Sequence, residues 1–406
     1  MSVRKIDLSN FQVATSETAR DINRRIVLNL IRKHQPVSRA DLARQSGLQR
    51  STVSAIIEQL LAERWVTEGA LGQLPRGRKP TFLHLNGRRA GIIGVDIRPG
   101  KTSIALAGLD SRFLVLESIP TTGDPAEFVA QLGRRIRGIM EGHPDMTYEG
   151  IGIALPGRID LATNELVFAP NLGWTRIDFK TPIEKATGLP VELENAANAC
   201  ALAEFWFGQR REGVQNLVAV TVSEGIGTGL IMNHQLARGS TGMTGEFGHI
   251  AIVEEGLECR CGNRGCWEVY ASNSAAIRYY TGSSSPVRNG KTAAKSLAEA
   301  PAFDDILRLA EQGDQKAVDA ISQVAHYMGV GIALLVTGLA PDIIVVVGEI
   351  TRAWNRVGPI INGVIKSRSF THAPARVVPT DPAGDPRLRG TIALVLQKHF
   401  GAPSVA

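Results

Sequence analysis

Three of the four cysteines in this chain, Cys259, Cys261 and Cys266, crowd into eight residues, and His249 precedes them in the pattern H-x9-C-x-C-x4-C. One imidazole and three thiolates at this spacing form a closed tetrahedral set of the kind that structural zinc uses, rather than a disulfide framework. Gly262, Asn263, Arg264 and Gly265 fill the last gap, so the ligands sit on a loop. Four protein ligands leave no position for a reactive water, and the zinc expected here braces the loop instead of performing chemistry. Three buried free thiols are the alternative reading, but Arg260 between Cys259 and Cys261 makes a poor apolar core. Cys200 stands apart, and no disulfide is expected.

Such a loop needs a larger body, and 406 residues exceed what one hydrophobic core usually organises, so two or three domains are expected. With 44% hydrophobic and 21% charged residues the chain is neither disordered nor fibrous. From Ala90 onward short apolar stretches such as Gly91–Asp96, Ser103–Leu106 and Gly150–Ala154 alternate with helical segments, which predicts α/β architecture. Residues 1–15 carry Arg4, Lys5 and Asp7 and no apolar run of signal-peptide length. The long apolar window Gly329–Ile350 contains Pro341, Asp342 and Glu349, so it divides into a buried helix, a turn and a strand. A cytoplasmic protein with no membrane partner is therefore expected. Thr281–Lys291, rich in Ser and Gly, is expected to be a surface loop.

Charge is unevenly placed. Residues 1–90 hold 16 Lys and Arg against 7 Asp and Glu, an excess of +9, while the remainder holds 29 against 32, an excess of −3. A basic segment on a mildly acidic body is the pattern of a polyanion-binding module. Ile22, Ile26, Leu30 and Ile31 recur at helical spacing, predicting a helix that ends near Lys33. Ser38 with Asp41 reads as a capping box opening a second helix, and Ser46-Gly47-Leu48 as a tight turn. A third helix buries Val53, Ile56, Ile57, Leu60 and Leu61, with Gln49, Arg50, Ser51, Thr52 and Ser54 clustered at its start. In a helix-turn-helix those starting residues reach base edges in the major groove. Two strands, Trp65–Glu68 and Thr81–Leu85, then flank a tip reading Pro75-Arg76-Gly77-Arg78-Lys79-Pro80, a wing suited to an A·T-leaning minor groove.

The residues now carry a resemblance. Val222-Ser223-Glu224-Gly225-Ile226-Gly227-Thr228-Gly229-Leu230, Gly239 and Gly245-Glu246-Phe247-Gly248-His249 resemble the signature of the ROK family of repressors, open reading frames and sugar kinases. The Cys259–Glu268 segment resembles the family's zinc motif at every cysteine, and Leu155–Gly157, Asn171–Trp174 and Glu194–Asn198 match further blocks in order. The resemblance runs from about residue 15 to 400 and implies a winged helix followed by a two-lobed actin-like, sugar-kinase (RNase H-like) fold with a sugar cleft. The divisions it implies are an arm, 1–14; a winged helix, 15–88; a first α/β lobe, 89–200; a second lobe with the zinc loop, 201–385; and a C-terminal helix, 386–406, packing back on the first lobe. Repressors of this family are usually dimers or tetramers on palindromic operators, so operator DNA, a sugar effector and a homodimer or homotetramer are the implied partners.

Where the family's kinases place an aspartate as base, this chain has Ala196, and a methyl group cannot take a proton. The first phosphate loop reads Asp96-Ile97-Arg98-Pro99-Gly100 instead of a glycine pair, Glu224 replaces a threonine in the second, and Val347-Gly348-Glu349 lacks a further glycine. These losses imply no catalytic residues and no kinase activity. The sugar contacts persist: the resemblance assigns Asn171, Asn195, Glu246, His249 and Glu268 to sugar hydroxyls, with His249 serving zinc and sugar through different nitrogens. Ala196 removes a grip on the phosphorylatable hydroxyl and points towards a pentose or modified sugar, as in the xylose-repressor branch. The expected function is a sugar-responsive transcriptional repressor of carbohydrate use. A bifunctional kinase and a regulator controlled by a protein partner are the rival readings.

Overall fold

The computed structural model describes residues 15–71, 81–87, 90–160, 162–208, 213–240, 242–282, 301–368, 375–381 and 384–401. The arm 1–14, the wing tip with Arg76, Gly77, Arg78 and Lys79, and the expected surface loop beyond Gly282 lie outside these residues.

The first unit is a winged helix: α1 (Ser16–His34), β1 (Val37–Ser38), α2 (Arg39–Ser46), α3 (Arg50–Ala62), β2 (Val66–Leu71) and β3 (Thr81–Leu85), with sheet order β1-β3-β2. The Ser38 Oγ accepts from the Asp41 amide at 3.2 Å and the Asp41 carboxylate accepts from the Ser38 amide at 3.3 Å, a reciprocal cap that fixes where α2 begins. Gly47, at φ 71°, ends α2 in the left-handed conformation and turns the chain into α3. The α1 stripe differs from the expected one. Val27, Leu28 and Ile31 are buried while Ile26 stays 40% exposed, because α1 packs on the winged-helix core and on the C-terminal helix at once. Leu61 is only partly buried, at the rim of the same core.

The first lobe follows with β4 (Ala90–Ile97), β5 (Lys101–Ala107), β6 (Phe113–Pro120), α4 (Pro125–Glu141), β7 (Thr147–Leu155), β8 (Arg158–Asp160), β9 (Glu165–Ala169), β10 (Trp174–Ile177), α5 (Lys180–Thr187), β11 (Val191–Asn195) and α6 (Ala196–Phe207). Its main sheet has the order β11-β7-β4-β5-β6, parallel from β11 to β4 and antiparallel from there outward. Every residue of the central β4 is buried, whereas the edge strand β6 alternates exposed and half-buried positions. The expected lobe boundary at residue 200 falls inside α6.

The second lobe carries β12 (Leu217–Val222), β13 (Ile226–Met232), β14 (Gln235–Leu236), α7 (Trp267–Ala271), α8 (Asn273–Thr281), α9 (Phe303–Glu311), α10 (Gln315–Leu339), β15 (Ile343–Val347), α11 (Trp354–Arg368) and β16 (Arg376–Pro379), with sheet order β14-β13-β12-β15-β16. Among the described residues α10 is the one helix long and apolar enough to cross a membrane, and 67% of its apolar window is buried inside the protein. The apolar window read from the sequence ends α10 at Leu339, turns at Ala340 (φ 43°) and enters β15. The last helix, α12 (Pro386–Phe400), lies on β4 and β7 and alongside α6. Its fit on the sheet is close: a Cβ at Gly152 would strike the Thr391 carbonyl oxygen.

Candidate functional site

Two sites emerge, at opposite ends of α6 and α12. At the DNA-binding end, Gln49, Arg50, Ser51 and Ser54 are exposed at the start of α3 and Thr52 is half-buried. Gln49 occupies the N-cap position of α3 without bonding through its side chain, and among the described residues Arg50 makes no ion pair. Both side chains are free to reach outward. Arg39, by contrast, pairs with Glu58 at 2.7 Å and Glu68 at 3.2 Å and ties α2 to α3 and β2.

Between the lobes lies a cleft of about 1160 Å³ lined by Asn171, Asn195, Ala196, Glu246, His249 and Glu268, among others from both lobes. All five residues expected to meet a sugar therefore border one space, and their present partners differ. The Asn195 side chain caps α6 by accepting from the Ala197 amide at 2.8 Å and donates to the Gly157 carbonyl at 2.7 Å, which fixes its orientation in the cleft wall. Asn171 accepts from Arg260 Nη1 at 3.1 Å across the cleft. Arg260, between two cysteines, therefore reaches from the metal loop to the first lobe, a role that its place in the spacing gave no hint of. Glu246 Oε2 lies 3.8 Å from His249 Nε2.

The other imidazole nitrogen turns to the thiols. His249 Nδ1 is 3.6 Å from Cys259 Sγ, and Cys261 and Cys266 sulfurs are 3.6 Å apart. One ligand atom from each of the four residues lies within 4.8 Å of the other three, close enough to surround one ion at tetrahedral ligand distances. The cluster can hold a metal. Glu268 adjoins it, with Oε1 3.0 Å from Cys259 Sγ and 3.6 Å from His249 Nδ1, so the same carboxylate borders the metal loop and the cleft. Burial pushes the Cys266 thiol up to about 11, as removal from water disfavours a lone thiolate.

The far end of the cleft holds an ion network. Asp96, 1% exposed, accepts from Arg98 Nε at 2.6 Å and pairs with Arg387 Nε at 2.8 Å, while Arg98 lies 3.7 Å from Asp385. Burial alone would pull the Arg98 guanidinium down, but the charge and hydrogen bond of Asp96 overcome it and hold Arg98 above its ordinary value. The loop read as Asp96–Gly100 thus turns its carboxylate towards arginines. A second pair, Arg238 to the buried Glu194 at 2.8 Å, joins the lobes beside Asn195 and Asn198. Neither the Arg387–Asp96 nor the Arg238–Glu194 pair was expected, because in each the partners come from distant segments.

A winged helix on a two-lobed α/β body, with a His/Cys cluster able to hold a metal at its cleft, defines a DNA-binding regulator built on an actin-like, sugar-kinase fold. The chain belongs to the ROK family: the family model matches residues 92–398, and one described as winged helix-turn-helix DNA-binding matches residues 20–67. It is 31% identical over 362 residues to the xylose repressor of Bacillus subtilis (strain 168), covering 88% of this chain and 90% of that one. In structure it is similar to a ROK family transcriptional regulator, homolog of the E. coli MLC protein, with a TM-score of 0.78 and 27% identity across 94% of this chain and 98% of that chain. It is also similar to the ROK family glucokinase from Streptomyces griseus in complex with glucose and AMPPNP, with a TM-score of 0.64 and 30% identity across 76% of this chain and 99% of that chain. Regulators and kinases thus share this body.

Proposed function

We propose that this chain is a sugar-responsive repressor that binds operator DNA through Gln49, Arg50, Ser51, Thr52 and Ser54 of α3 and the wing residues Arg76–Lys79. The observation that carries the reading is one chain joining an unengaged recognition-helix start to a family sugar cleft stripped of its chemistry. Ala196 borders that cleft where a base would stand, and Asp96 is committed to Arg98 and Arg387. Phosphoryl transfer needs positioned phosphates and a charge-neutralising metal, and an aspartate ion-paired with two guanidiniums would have to give one of them up to serve either. We assign the protein no kinase activity.

Asn171, Asn195, Glu246, His249 and Glu268 are assigned to sugar hydroxyls, and His249, Cys259, Cys261 and Cys266 to zinc. Held by four protein ligands, zinc would supply no reaction; it would fix the loop that carries Arg260 and leads into Glu268 at the start of α7. The inducer class is a pentose or modified sugar, and the name of the B. subtilis relative makes xylose the first to try. Two copies reading two half-sites, as a homodimer or homotetramer, complete the proposal.

A thermal-shift screen of zinc-replete protein against pentoses, hexoses, amino sugars and ATP with magnesium tests this directly. Stabilisation by one sugar, followed by loss of operator affinity in a titration with that sugar, is the expected result. Stabilisation by ATP, or sugar phosphate in a coupled assay, would refute the loss of kinase activity. Silence of the whole panel would shift control to a protein partner.

A further inference from the structure

We propose that Arg32 of the winged helix is a positioning residue that couples the cleft to the DNA-binding module, gripped at the far ends of two helices that both begin in the cleft. The inference rests on the sugar-responsive reading above and adds the route by which it operates.

Asn195, Ala196 and Ala197 open α6, Asp385, Pro386 and Arg387 open α12, and all six line the cleft. Both helices run away from the cleft in the same direction, for about 18 Å and about 22 Å at 1.5 Å per residue. They touch backbone to backbone along the way, since a Cβ at Gly390 of α12 would strike the Ala199 carbonyl oxygen of α6. Neither can slide without the other.

At their far ends they hold α1. Arg32 Nη1 donates to the Trp206 carbonyl at the end of α6 at 3.3 Å. The Arg32 guanidinium carbon lies 4.6 Å from the Trp206 ring and 5.5 Å from the Phe400 ring, and those two rings meet edge to face at 6.3 Å. One and two turns before Arg32 on α1, Asn29 donates to the Phe400 carbonyl at 2.7 Å and Arg25 to the Gly401 carbonyl at 2.8 Å. Among the described residues no carboxylate pairs with Arg32, and its buried Nε has no acceptor. A salt bridge tolerates a shift of an ångström; a planar cation between two rings and one carbonyl does not, because cation–π attraction depends on where the cation sits over the ring. The apolar core of the winged helix is also continuous with α12 through Ile392, Val395, Leu396 and Phe400, so movement of the helix ends is movement of the module. Packed helices transmit small displacements because their interiors do not compress.

Two variants of the full-length, zinc-replete protein test the joint: Arg32→Met, which removes the cation, and Phe400→Leu, which keeps apolar contact but removes a ring. Amide hydrogen exchange requires neither sugar nor DNA. The expected result is several-fold faster exchange in the first turns of α6 and α12, at the cleft, with α4 unchanged. A rise confined to α1, or a uniform rise in all elements, would overturn the proposal as a merely local or merely structural role. With the inducer found in the sugar screen, wild-type operator Kd should rise about 5–150-fold, the usual range of such coupling. In both variants that ratio should fall below about 2-fold, while the sugar's own Kd stays within about 3-fold. An undiminished ratio would overturn the joint. Should no sugar move the wild-type Kd, the sugar-responsive reading fails, and the exchange pattern alone decides on Arg32.

Discussion

Asp96 is nearly inaccessible to water and is shared by Arg98 from its own loop and Arg387 from the start of α12. A carboxylate already engaged by two guanidiniums would have to give one of them up to meet a phosphate-bound cation. Restoring the base alone should therefore fail: Ala196→Asp is expected to yield no sugar phosphate above background in a coupled assay, and measurable turnover would show that the phosphate end is intact. Arg50→Ala should weaken operator binding by about 1–3 kcal/mol and relax base preference, read by fluorescence anisotropy against a panel of single-base variants. Cys261→Ala should release zinc, measured with a chromogenic chelator, and abolish the sugar-dependent thermal shift, because Glu268 and His249 border both the metal loop and the cleft; sugar binding in the metal-free variant would uncouple the two. That His249, Cys259, Cys261 and Cys266 would cluster was legible in the sequence because they are local and their chemistry is narrow. The Arg260–Asn171 contact spans 89 residues and Arg387 reaches the Ile97 carbonyl across 290, and no local period encodes such pairs.

Helix α2 exists as a defined element because Ser38 and Asp41 satisfy the orphan amides at its start. The Ser38 hydroxyl holds Asp41 below the ordinary carboxylate value of 3.8. A carboxyl lowered on folding stabilises the native state fully above its unfolded value, and that contribution is lost as pH falls through the lower folded value. Ser38→Ala should thus lower stability by about 1 kcal/mol near neutrality, and the gap in Tm between wild type and variant should narrow in acid, below 3.8. A gap independent of pH would mean that the hydroxyl, and not the Asp41 charge, does the capping. Elements with a strong local cue, the capping box and the alternating β/α body, were readable before the structure was known. The buried stripe of α1 was not, since its register answers to α12, which arrives from the other end of the chain.

At the scale of the molecule, α6 runs through residue 200 to Phe207 and lies against both lobes and the winged helix. Binding at the two ends of such a body obeys reciprocity, so operator DNA should change the affinity for the inducing sugar by the same factor by which sugar changes the affinity for DNA. Sugar titrations by calorimetry with and without an operator duplex check this, and a sugar affinity unchanged by the duplex would show that the two ends are not coupled. The shared core of the winged helix and α12 also bears on how the protein is made. Domains generally fold in order as they leave the ribosome, but here the winged helix lacks Ile392, Val395, Leu396 and Phe400 of its own core until residues 386–400 have been made. Residues 386–400 must be made before the winged-helix core is complete, so a chain stalled before them carries the whole recognition helix in a module whose α1 lacks its seat on α12.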